Sequence, residues 1–166
     1  MSNIVPLISS GTQGPLGVLH LPRLWQKVSL EAAGKIAEGY PGIGDGYDSM
    51  VITGLGLDKE AVRSYITNEK PTYTQFEAWI QAQDDAKLDE ASIGELNASI
   101  AGYNHDADTK AGILSACGIS EGPDDAINLN NLDDWLEFHS GRRKSKRRFN
   151  HLSISLGQHG FWLLSC

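Results

Sequence analysis

Apolar side chains in this chain recur at spacings of three and four residues, and no stretch before residue 150 sustains the alternation that a half-buried strand requires. That periodicity confines the fold to packed helices. It is clearest in DEASIGELNASIAGYN, where Ile93, Leu96, Ile100 and Tyr103 follow Asp89 as the capping residue. Upstream, Leu24, Val28, Ala32 and Ile36 recur every four residues beside Trp25, with Pro22 in the first turn and an end near Gly34 or Gly39. Tyr47, Met50 and Val51 share one face of a short helix stopped by Gly54 and Gly56. Asp58 caps DKEAVRSYITNEK, which turns Ala61, Val62, Tyr65 and Ile66 inward and is closed by Pro71.

Thr72 and Gln75 form a capping box, each side chain satisfying the other's free backbone donor, ahead of Phe76, Trp79 and Ile80. A further helix from Asp106 to Cys117 aligns Ala111, Leu114 and Cys117, and Gly118 with Ile119 fits a left-handed C-cap. In NLNNLDDWLEFHS, Leu129, Leu132, Leu136 and His139 align, and Asp133 and Asp134 are placed in the first turn, where carboxylates meet the positive end of the helix. Trp25, Trp79, Trp135, Phe76 and Phe138 fall on apolar stripes and are expected as core anchors. The expected architecture is all-α: a compact bundle of about six or seven short helices over residues 15–141. A flexible arm, residues 1–14, precedes it, and an extension, residues 142–166, follows.

Charge divides the chain at the same place. Residues 1–141 hold all 21 acids against eight cations, a net −13, whereas Arg142, Arg143, Lys144, Lys146, Arg147 and Arg148 give the remainder +6. An acidic body repels phosphate, so contact with nucleic acid or an anionic membrane has only those six cations to rest on. Residues 149–166 contain no Asp, Glu, Lys or Arg, a change as abrupt as an altered reading frame produces. The extension is therefore read first as an appendage beside a ready counter-charge, and as a polyanion contact second.

Cys117 and Cys166 lie far apart, no leader-like N-terminal pattern is present, and the apolar runs are only a few residues long. A soluble cytoplasmic protein without a transmembrane segment is expected. No cofactor and no metal is expected. His105, Asp106 and Asp108 read as helix-start caps, and no HExxH, CxxC or calcium-loop pattern occurs. The glycines of GIGDG (42–46) follow a helix and carry Asp45, which suits an interhelical turn rather than a phosphate loop. Neither a Ser–His–Asp nor a Cys–His set can be assembled from spacing, and no catalytic residue is assigned.

The positive feature is Arg23 four residues before Lys27, on one helix face near its positive end. Together with Tyr40 and His20 it forms a candidate anion site. The competing reading pairs both cations internally, with Asp48 or with carboxylates of another helix.

Leu21-Pro22-Arg23 with Lys27, Gly34, Tyr40, the LGLD at Leu55–Asp58 and Trp79 resemble a bacterial family catalogued only as domain of unknown function number five thousand and sixty-nine, over roughly residues 13–140. The resemblance implies membership and no activity. The expected function is a non-enzymatic binding or interaction module whose acidic surface selects a protein partner. One alternative is a small-anion-binding protein or enzyme using the Arg23/Lys27 face. The other is attachment of the basic extension to nucleic acid or membrane.

Overall fold

The computed structural model describes the backbone of residues 3–156 and the side chains as far as Gly141. Seven helices and no strand occur among the described residues: α1 (Leu21–Ala32), α2 (Tyr47–Gly54), α3 (Lys59–Glu69), α4 (Tyr73–Gln81), α5 (Glu90–Ala101), α6 (Ala107–Ala116) and α7 (Ala126–Leu156). The all-α expectation is met. Helix α7 continues through the boundary placed at residue 141, and the readings of Arg142, Arg143, Lys144, Lys146, Arg147 and Arg148 lie outside the described side chains.

Short polar side chains set the helix starts. Asp58, Asp89 and Asp106 accept hydrogen bonds from the amides of Ala61 (2.7 Å), Ser92 (3.0 Å) and Thr109 (2.8 Å). Thr72 and Gln75 close the capping box from both sides. The ends of α1, α2 and α6 share one device, a glycine at positive φ: Gly34 (62°), Gly56 (70°) and Gly118 (75°). The residue after each glycine reaches back into the last turn, as in Lys35 N to Leu30 O (2.9 Å), Leu57 N to Ile52 O (2.9 Å) and Ile119 N to Leu114 O (3.1 Å).

A Cβ at Gly118 meets nothing within 4 Å, so Gly118→Ala is expected to cost only the left-handed strain, about 1–2 kcal/mol. A Cβ at Gly56 would sit 2.7 Å from the Asp85 carbonyl oxygen. Gly56→Ala should therefore lose more, a difference that urea-denaturation midpoints measure.

Helix α1 is central, packed against α2, α3 and α4, while α2 rests on α5 and α6 on α7. The core between them holds Leu21, Leu24, Val28, Val51, Leu55, Val62, Phe76, Ile80 and Ile100, all fully buried. Trp25 and Trp79 pack against this core, as expected.

Two expectations are corrected. The first fourteen residues do not form a free arm where they are described. Ile4 bridges to Ile36, Pro6 and Ser10 are buried, and the Ile8 amide donates to Gln26 Oε1 at 3.2 Å. The segment has no apolar period because backbone hydrogen bonds hold it, not a side-chain stripe. The last helix begins at Ala126, capped by Asp125 on the Asn128 amide (2.8 Å), so Asp133 and Asp134 lie about two turns inside it. Asp134, 3% exposed, faces inward, and this rotation leaves Trp135 58% and Phe138 44% exposed, not in the core.

Candidate functional site

His20 is where the N-terminal segment turns into α1, and it does so at φ 66°, a left-handed conformation costly for a residue with a side chain. The surroundings hold it there. Its amide donates to Thr12 O (3.1 Å), and Asn97 of α5 clamps the preceding turn, accepting from Leu19 N (2.9 Å) and donating to Gly17 O (2.7 Å). The ring, 3% exposed, is directed between Ser10 Oγ (3.0 Å from Nδ1) and Asp48 Oδ1 (2.8 Å from Nε2).

Asp48 lies in the first turn of α2 and is the hub of this half of the site. Its Oδ2 accepts from Lys27 Nζ of α1 and from the Gly44 amide at 2.7 Å. Burial pushes the Asp48 carboxyl up, but the His20 hydrogen bond and the Lys27 charge outweigh it and hold the group below the usual carboxylate range. An ionised Asp48 only accepts, so Nε2 carries the imidazole proton and Nδ1 accepts from the Ser10 hydroxyl. Burial, helped by Lys27 and Arg23 and opposed by Asp48, lowers the His20 pKa and keeps the ring neutral.

The second half joins α1 to α7. Arg23 grips Asp134 with both ends of its fork, at 2.7 and 3.0 Å, and also donates to the carbonyls of Pro6 (3.0 Å) and Ile8 (2.8 Å). Tyr40 donates its hydroxyl to Asp134 Oδ1 at 3.0 Å, and burial with the Asp134 charge raises its pKa, so it remains a donor.

These groups border a cleft of about 200 Å³ between α1, the loop of residues 40–46, and α7. All four residues of the expected anion site, His20, Arg23, Lys27 and Tyr40, line it. Their charges are not free, however: Arg23 is spent on Asp134 and Lys27 on Asp48, and the internal pairing is what the structure shows. Sequence reasoning did not find Ser10, Tyr47, Asp133 or Asp134. Asp133 and Asp134 were visible only as helix-start acids, and nothing in spacing links Ser10 to His20.

The line Ser10–His20–Asp48 has the order of a catalytic relay, but Ser10 is 1% exposed, so its hydroxyl meets no substrate and the line is an internal hydrogen-bond chain. The GIGDG segment is an interhelical turn whose Gly42 and Gly44 amides are taken by Glu31 and Asp48, leaving neither to hold a phosphate. His105 bonds Asn130 at 2.8 Å and Asp106 caps α6. Among the described residues no group of three His, Cys, Asp or Glu is arranged to hold a metal, and no helix is long and apolar enough to cross a membrane.

Two groups in the cleft stand apart from the paired set. Tyr47 is 8% exposed, and its hydroxyl has no hydrogen-bond partner among the described residues. Burial, with Asp125 and Tyr103 adding to it, pushes this phenol up to about 12, so it is a donor without an acceptor. Such a group costs stability. Tyr47→Phe is accordingly expected to raise the unfolding free energy by about 1 kcal/mol, read from denaturant midpoints. Asp133 is the other, half-buried and with no cation within ion-pair distance among the described residues. Burial first, then Asp134 and Glu137, raises its pKa.

No family model matches the chain, and no curated protein does.

Proposed function

We propose that this protein binds a small polar molecule in the cleft between α1, the 40–46 loop and α7, and that it does so without catalysing a reaction. The observation that supports this is the convergence of five buried ionisable side chains, His20, Arg23, Lys27, Asp48 and Asp134, on an open volume of about 200 Å³. Burying that many charges costs more than an apolar core would, and such clusters, with strained backbone beside them, concentrate at binding sites. The anion version of the reading is set aside, because the two cations are already neutralised. Membership of the domain-of-unknown-function family and a cytoplasmic location belong to the same proposal. Of the family landmarks, Arg23, Lys27 and Tyr40 lie at this cleft.

A fragment screen followed by amide chemical shifts of the full-length labelled chain tests it. Hits should move Gly44, Gly46 and Tyr47 together. Hits confined to the apolar depression on α6, lined by Ala107, Ala111, Leu114 and Ile119, would overturn the assignment.

A second reading, an interaction module for a basic protein, is supported by the exposure of Trp135 and Phe138 on a helix that also carries Asp133 and Glu137. An oligo-arginine peptide should then perturb Trp135 fluorescence at low salt, an effect absent in Trp135→Ala.

A further inference from the structure

Residues 3–10 are attached to the body differently from the chain that follows. Among the described residues, the hydrophobic core and the side chains packed against it begin at Leu16. Within the segment Ile4 and Leu7 are 41% and 42% exposed. Polar bonds hold it instead. Ile4 pairs with the Lys35 carbonyl (2.7 Å) and the Ala37 amide (2.9 Å), the Ile8 amide with Gln26, the Pro6 and Ile8 carbonyls with Arg23, and the Ser10 hydroxyl with His20 Nδ1.

Past Gly11 the attachment changes. Thr12 O accepts from the His20 amide, Gln13 bridges to Leu19, the Leu16 amide donates to Glu77, and Val18 is fully buried. A strap with few buried apolar contacts opens at lower cost than helices whose separation exposes a core. We propose that residues 3–10 are a gate, hinged near Gly11, that opens while the helices stay folded and uncovers the Nδ1 edge of His20 together with the Arg23 N–H groups its carbonyls now occupy. Closed, it leaves His20 3% and Arg23 6% exposed. His20 keeps its place when the strap lifts, because Thr12, Asp48 and the clamp of Asn97 on Leu19 hold it from outside residues 3–10. The gate stands whether or not a molecule binds the cleft.

Diethyl pyrocarbonate tests it, since it acylates an unprotonated ring nitrogen, and in His20 that nitrogen is the Nδ1 beneath the strap. Peptide mass spectrometry of the full-length protein at neutral pH follows His20, with the exposed His139 as reference in the same sample. His20 should react at least about tenfold more slowly than His139, yet ahead of global unfolding, and low urea should hardly change its rate because lifting the strap exposes little surface. Gln26→Ala removes the acceptor of the Ile8 amide and lies outside the core, so it should speed His20 several-fold at an almost unchanged melting temperature. A disulfide across the Ile4–Ile36 bridge, made as Ile4→Cys with Ile36→Cys on a Cys117→Ser, Cys166→Ser background, should slow His20 about tenfold when oxidised and restore the rate on reduction.

Labelling of His20 as fast as His139 overturns the gate, and so does labelling only at the global unfolding rate with its full urea dependence. A His20 rate indifferent to Gln26→Ala, or to the oxidised disulfide, also overturns it, because the ring would then be reached from another side.

Discussion

Arg23→Ala is expected to destabilise the fold by about 3–5 kcal/mol, because it strands a buried carboxylate and does not merely delete a contact. Asp134 is 3% exposed and draws three of its hydrogen bonds from Arg23 and Tyr40, so removing the guanidinium leaves its charge with a phenol alone. The same substitution frees the carbonyls of Pro6 and Ile8, so residues 3–10 should gain amide exchange and proteolysis ahead of the helices. A double change, Arg23→Leu with Asp134→Leu, separates the two causes. Removing both charges together should recover most of the loss in urea midpoint while leaving the N-terminal segment loose. If Arg23→Ala unfolds at nearly the wild-type midpoint, the pair is not buried as described.

The second large effect is with pH. His20 titrates below its ordinary 6.5 in the folded chain, so as pH falls through 6.5 the unfolded chain takes up a proton that the folded chain refuses. Stability then drops by at most about 1.4 kcal/mol per pH unit from this one group. Asp48 follows the same sign lower down: its contribution is complete above 3.8 and disappears as pH falls through its depressed folded value. Asp133 acts the other way, since a raised carboxyl protonates earlier in the folded chain and returns a little stability on acidification. Urea midpoints collected from neutral to acidic pH should therefore begin to fall near the histidine range. His20→Gln should postpone the fall to the carboxylate range. A wild-type profile that stays flat until the carboxylates titrate would mean that His20 is not held neutral by burial.

Much of this architecture was legible because local chemistry and tertiary packing agree. Asp58, Asp89, Asp106 and the Thr72–Gln75 pair sit at real helix starts, and Gly34, Gly56 and Gly118 at real ends, because orphaned backbone groups must be satisfied close by in sequence. Apolar spacing likewise found Leu24 with Val28, Val62 with Ile66, and Phe76 with Ile80. It failed on the final helix, where two stripes compete. A polar contact, Asp134 on Arg23, decides which face turns inward, and a hydrophobic count reads such a residue as solvent-facing. It failed again on residues 3–14, since main-chain bonds to Gln26, Lys35 and Arg23 leave no trace in side-chain periodicity.

The candidate site was half visible for the same reason. Arg23 and Lys27 share a helix face by arithmetic, and His20 and Tyr40 are near them in the chain. Asp134 is 111 residues from Arg23, and only the path of the whole backbone brings it there. Tyr47 had been read as one more apolar residue on its helix, and its hydroxyl becomes informative only once the missing partner is seen.

That same separation imposes an order on biosynthesis. With Arg23 on the first helix and Asp134 on the last, the guanidinium must wait for 111 further residues, roughly 5–20 s at ribosomal elongation rates of about 5–20 residues per second. Throughout that interval the nascent chain carries an unmatched cation where its interior will form. Five of the seven described helices precede α6 and α7 in the chain, and the cleft, which α7 borders, cannot close before that last helix is made.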